Sequence, residues 1–228
     1  MKKFLFGVIK FAIKTVLLIF AATIVWAALY RYVNPPLTPL MVIGYFGGKR
    51  TVTKEWSDYK NISNYMKLAV IAAEDQKFPM HEGFDIESIK DAIGDKMSGD
   101  RLRGASTISQ QTAKNVFLWP SRTWMRKAAE AYFTFLIEKI WGKKRILEVY
   151  LNVIETGKGV YGVGKAGEIY FGKSAGNLTK EESALIAAIL PNPMRMSAVN
   201  PSRYVRERQG WIIGQMDNLG TGYLKRIK

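Results

Sequence analysis

The sequence predicts a mainly α domain with Gly-rich loops, preceded by one N-terminal transmembrane helix. Three observations lead there. Phe4 to Tyr30 is apolar apart from Lys10, Lys14 and a few hydroxyls. Beyond Pro36, apolar residues recur mostly at the three- and four-residue spacing of helices. Glycine clusters at Gly94 to Gly104 and Gly157 to Gly164 break these runs and read as loops.

The first element is the anchor. Val16 to Tyr30 carries no charge, and the whole apolar run is long enough for one bilayer-spanning helix. Lys2, Lys3, Lys10 and Lys14 gather at its leading end, while Trp26, Tyr30 and Tyr32 sit at its trailing end like an interfacial belt. This orients the N-terminus toward the cytoplasm. No small-x-small site closes the run before Arg31, so the reading is an uncleaved anchor rather than a signal peptide. Residues 1–33 are therefore read as cytoplasmic tip and anchor, 34–60 as linker and 61–228 as the folded domain.

Asn34-Pro35-Pro36 breaks the first helix, and Gly47 to Thr53 reads as linker with a short hairpin. Helices are then expected over Asn64 to Asp75, Ile86 to Ile93, and about Thr123 to Trp141. Thr179 and Glu182 form a capping-box pattern ahead of Ala184 to Leu190, which Pro191 ends. A last amphipathic helix spans Tyr204 to Leu219 and stops at Gly220.

Composition bounds the chemistry. The chain has 228 residues, 48% of them hydrophobic and 12% aromatic, which is enough for a folded core and excludes a disordered scaffold. With no Cys and the single His81, a disulfide framework, a thiol nucleophile and a His/Cys zinc cluster are excluded. A formal charge of +15 asks for anionic company: nucleic acid, phosphate-bearing lipid or a membrane surface. Translocation behind the anchor removes nucleic acid from that set.

Three stretches carry ionisable groups in suggestive patterns. Glu74-Asp75 ends an apolar helix, followed by Phe78, His81, Gly83 and Asp85. Burial there would raise the pKa of Glu74 toward the range of a general acid or base; a helix-terminal carboxylate with a structural hydrogen bond is the alternative. A lone His81 reads as structural. Arg103 to Gln111 reads as a loop entering a helix with Ser106 or Thr107 as N-cap, which places Thr107, Gln111 and Lys114 on one face. An anion site and an ordinary polar face remain equally open for it. In Ser121 to Glu130, Arg122, Arg126 and Glu130 recur every fourth residue with Lys127 beside them, on one side of a helix. A solvated face held by an Arg126–Glu130 pair would contribute only about 0.3–0.5 kcal/mol. It leaves the surplus of cations unexplained, whereas a diphosphate site explains it.

In order along the chain, these segments resemble the glycosyltransferase family 51 domain, the peptidoglycan glycosyltransferases. Glu74-Asp75-x-x-Phe78-x-x-His81-x-Gly83 resembles the first family motif and Gly104 to Gln111 the second. Arg126-Lys127-Ala128-Ala129-Glu130 resembles the third, Lys144 to Asn152 the fourth, and Arg206 to Met216 the fifth. One anchor and no room for a transpeptidase domain point to the monofunctional members of Gram-negative bacteria. Two departures stand out: Ala105 replaces a usual Gly, and Asp91 beside Lys90 falls where some members carry a basic residue.

The resemblance implies a lysozyme-like multi-helix fold and elongation of glycan strands from lipid II, with MurNAc-GlcNAc β-1,4 bonds formed by inversion and undecaprenyl diphosphate released. Carried over by position, Glu74 is the catalytic base and Glu130 the second essential carboxylate. Lys114 and Arg122 meet phosphates and sugar, and Ser106, Thr107, Gln110, Gln111, Asn115, Arg126 and Lys127 line or support the cleft. No cofactor and no metal site is required; a divalent cation against the diphosphate is compatible. The partners implied are lipid II, the growing lipid-linked strand, the membrane, and other cell-wall synthesis or division proteins. The place implied is the bacterial cytoplasmic (inner) membrane, single-pass, with the catalytic domain periplasmic. Two rivals remain: a glycan-cleaving enzyme of lysozyme type, whose substrate has no diphosphate, and a membrane-tethered scaffold of the cell-wall machinery. The Gly94 to Gly104 loop, with Met97 and Leu102 among its basic residues, is expected to gate substrate or dip into the membrane.

Overall fold

The computed structural model describes residues 1–47, 51–88, 90 and 106–227. Half of the Ile86 to Ile93 helix, Asp91 among it, the Gly94 to Gly104 loop and Ala105 lie outside the described residues.

Residues Met1–Asn34 form one unit, and α1 (Lys2–Tyr32) makes up nearly all of it. It is long and apolar enough to cross a membrane, and Trp26 meets Tyr30 edge-on at 6.2 Å near its trailing end.

Pro35–Lys228 is the second unit. The stretch expected as linker opens it with α2 (Pro39–Phe46), where Thr38 caps Met41 N–H and Pro39 takes the first turn, a position that needs no donor. Thr38-Pro39 is thus a helix start that the Pro-rich context hid. Instead of a local hairpin, β1 (Thr53–Lys54) pairs in parallel with β3 (Val160–Tyr161), while β2 (Glu155–Gly157) pairs antiparallel with β3. The strand order is β1-β3-β2. Part of the expected Gly157 to Gly164 loop is therefore sheet. Gly162 leaves it at φ +81°, where a Cβ would stand 2.8 Å from Asn152 O.

The helical body falls into two groups. In the first, α3 (Asn64–Glu74), α8 (Lys180–Ile189) and α9 (Arg203–Leu219) pack on one another. Met66 and Leu68 to Ala72 of α3 are all buried, and every residue of α8 from Ser183 to Ile189 is too, so both helices are core on most sides. The Thr179–Glu182 capping box forms as the pattern predicts, and Gly220 caps α9. In the second group, α4 (Ile108–Phe117) packs on α5 (Trp124–Ile140) and α6 (Lys143–Val153), and α2 touches α4. Phe117 stacks on Phe133 with ring centroids 4.4 Å apart. Finally, α7 (Val163–Phe171) closes against β3 and α8.

The fourth motif resembled by Lys144 to Asn152 ties the segment after β1 to this body. Asn152 accepts from Ser57 N at 2.7 Å and donates to Ser57 O, while Glu148 accepts from Tyr59 N at 2.8 Å.

Candidate active site

The site forms where the end of α3 meets the start of α4. Asp75, the C-cap of α3, accepts from Ile108 N, the first residue of α4, at 3.0 Å. A carboxylate at a helix N-terminus is stabilised there by free N–H groups and the dipole. Asp75 also holds His81 Nε2 at 3.0 Å, and Gly83 N donates to His81 Nδ1 at 3.1 Å. These two bonds place the imidazole proton on Nε2. Asp75 and His81 are therefore tied together at the junction of α3 and α4. Gly83 sits at φ +90°, and its carbonyl accepts from the Thr107 hydroxyl at 2.7 Å.

Thr107, rather than Ser106, is the N-cap of α4. Its hydroxyl accepts from Gln110 N, and Gln110 returns its side chain to Thr107 N at 3.0 Å. Thr107 and Gln110 are buried in this box, whereas Ser106 is exposed beside Glu74.

Glu74 faces the polar side of α4. Its Oε2 accepts from Gln111 Nε2 at 2.9 Å, and its Oε1 stands 3.7 Å from an Arg208 Nη2 of α9. Burial pushes its carboxyl above the ordinary range; the Gln111 bond and the charges of Arg208 and Lys114 oppose this, and Asp75 adds to it. A cavity of about 270 Å³ opens beside it, with Asp85, Ser88, Ser106, Thr107 and Trp211 in its lining.

One turn along α4, Lys114 reaches a second cavity of about 450 Å³, lined also by Asn115, Trp119, Arg122 and Arg126, with Leu40 of α2 at its edge. Burial holds the Lys114 ammonium below its ordinary pKa, against the pull of Glu130. Arg122 departs from the expected helical face: it precedes the N-cap Thr123 and reaches the cavity from the loop after Pro120. The carboxylate of Glu130 is buried, 2.7 Å from Arg126 Nη1 and hydrogen-bonded to Lys127. Arg126 also donates to Ser121 O at 2.6 Å, which fastens the Arg122 loop to α5. Among the described residues, no group of three or more His, Cys, Asp or Glu is placed to hold a metal ion.

Sequence reasoning singled out neither Arg208 nor Tyr150, although both lie inside resembled motifs. Tyr150 is fully buried and donates to Gln111 Oε1 at 3.2 Å. Its signal was a polar-tipped ring at an otherwise apolar helical position.

The arrangement joins a carboxylate able to take a proton to a pocket of cations able to hold an anion, along one face of α4. The family model described as Transglycosylase matches residues 41–217. A "Biosynthetic peptidoglycan transglycosylase" of Mannheimia succiniciproducens is 49% identical over 90% of this chain and 86% of its own length. Proteins of the same description from Shewanella oneidensis and Caulobacter vibrioides are 48% and 50% identical, over 94% and 84% of this chain and 93% and 83% of theirs.

Proposed function

The chain belongs to the transglycosylase family, and from that premise we propose how its residues polymerise peptidoglycan. The substrates are lipid II and the growing lipid-linked strand. The strand is donor, and the 4-hydroxyl of the incoming GlcNAc is acceptor.

In this reading the acceptor enters the cavity beside Glu74, and the donor diphosphate occupies the cavity of Lys114, Arg122 and Arg126. Glu74 takes the hydroxyl proton as the oxygen attacks the anomeric carbon of MurNAc. The bond to the diphosphate breaks as the β-1,4 bond forms, with inversion. Negative charge grows on the departing diphosphate, and fixed cations stabilise it without a proton transfer. Glu130 has a positioning role here, since its carboxylate is committed to Arg126 and Lys127. The α4 face carries the proposal: Gln111 on the base and Lys114 in the cationic cavity lie one turn apart.

The apolar α1 fits a membrane anchor, and both substrates keep lipid tails in a bilayer. Lys3, Lys10 and Lys14 at its leading end support a cytoplasmic N-terminus in the inner membrane with the folded domain on the periplasmic side.

Polymerisation of labelled lipid II in detergent, following glycan and released lipid diphosphate together, tests the proposal. Long glycan from the intact protein and none from folded Glu74→Gln is expected. Shortening of preformed glycan without polymerisation would establish a hydrolase instead.

A further inference from the structure

Gln111 bridges a carboxylate, which only accepts when ionised, and a phenol hydroxyl, which here donates to it. Its Nε2 donates to Glu74 Oε2 at 2.9 Å, and its Oε1 accepts from the Tyr150 hydroxyl at 3.2 Å. A side-chain amide turned by 180° keeps nearly the same shape, so packing alone selects neither orientation. Turned, it would set its oxygen against an ionised carboxylate, which only accepts. We infer that Tyr150 is a positioning residue for the base: its hydroxyl donates to the Gln111 oxygen and so anchors the amide whose N–H meets Glu74.

The donor at the far end is permanent. Tyr150 is 0% exposed, and burial together with the charges of Glu74 and Asp75 holds its phenol well above the ordinary pKa, so the proton stays on the ring oxygen. The three residues come from α3, α4 and α6, so the chain Tyr150–Gln111–Glu74 exists only when these helices are docked. Its consequence is local. With Oε2 engaged by Gln111, Oε1 on the Arg208 side is the oxygen left to receive the acceptor's proton.

This inference rests on Glu74 as base, and the test separates the two. The charged and titratable groups acting on Glu74 are Lys114 of α4, Arg208 of α9, the adjacent Asp75, and Tyr150 of α6. Tyr150→Phe keeps the ring and removes only the donor. In the full-length protein, kcat is expected to fall about tenfold with KM within about twofold, and the acid limb of kcat/KM to move to higher pH. Gln111→Met should give a similar shift, and Tyr150→Phe added to it should change nothing further. An acid limb and kcat unchanged in Tyr150→Phe, with Glu74→Gln inactive, overturns the positioning role and leaves the base standing. The same holds for a fall in melting temperature alone, or for additive effects of the two variants. Activity in Glu74→Gln overturns both. If Tyr150→Phe does not fold, the native protein decides: the Gln111 side-chain amide resonances must shift with pH along the acid limb, and their insensitivity to pH overturns the Tyr150–Gln111–Glu74 chain.

Discussion

Asp75 Oδ2 accepts the backbone N–H of Ile108 at 3.0 Å, so the residue that ends α3 also holds the first N–H of α4. Glu74 and the helix that meets it are thereby fixed to one carboxylate. Asp75→Asn retains one oxygen for Ile108 N and His81 Nε2 together, and loses the charge at the helix start. A destabilisation of about 2 kcal/mol is expected for a charged hydrogen-bond acceptor, with activity falling alongside. Thermal melts and polymerisation assays of the variant check it, and a full-strength enzyme with a native melt would refute it.

Glu74 carries a pH prediction. Its carboxyl lies above the ordinary 4.5 because burial outweighs Gln111, Arg208 and Lys114. A base must be ionised, so the acid limb of kcat/KM should lie above pH 4.5. The sign for stability follows. The folded state binds more protons between 4.5 and the raised value, so this group's contribution to stability falls as pH rises through that window. Glu74→Gln should therefore melt higher than the parent at neutral pH, with the difference shrinking in acid.

Glu130 is 3% exposed between Arg126, also largely covered, and the more open Lys127. Glu130→Gln leaves two cations beside Lys114 without their carboxylate. Breaking a buried pair from one side costs about 3–5 kcal/mol, and the exposure of Lys127 reduces this to roughly 2–3 kcal/mol. Denaturant titration measures that loss; Lys127→Ala, by contrast, should stay within about 1 kcal/mol of the parent.

Thr107 joins three partners: Gln110 N and side chain in the capping box, and Gly83 O. Thr107→Val preserves shape and removes the cap and the donor, so a loss of about 1–2 kcal/mol is expected. Thr107→Ser keeps both bonds and should recover most of it in the same melt.

Salt distinguishes the cationic cavity from the base. Lys114→Ala and Arg122→Ala should weaken turnover by about a hundredfold, the order expected for removing one fixed charge from developing negative charge. Arg122, the more exposed of the two, should lose its effect sooner as ionic strength rises. Initial rates over a salt series, with equal salt dependence in both variants as the contrary result, decide it.

Sequence by itself determined what lies within a few residues of chain. Helix spans such as Asn64–Glu74 and Trp124–Ile140, the Thr179–Glu182 box, the apolar first helix and the cationic surplus before Glu130 all follow from composition, periodicity and capping chemistry. Tertiary structure decided the rest. Arg122 was placed by a four-residue spacing on a helix that begins after it, because the Thr123 cap and not the period sets the boundary. Thr53 finds Gly159 O across 106 residues, and Tyr150 finds Gln111 across 39. Such bonds form only where docked helices and strands bring polar groups into reach and exclude water. No local period encodes that docking, and so Glu74 was legible in the chain as a candidate while the orientation of its carboxylate was not.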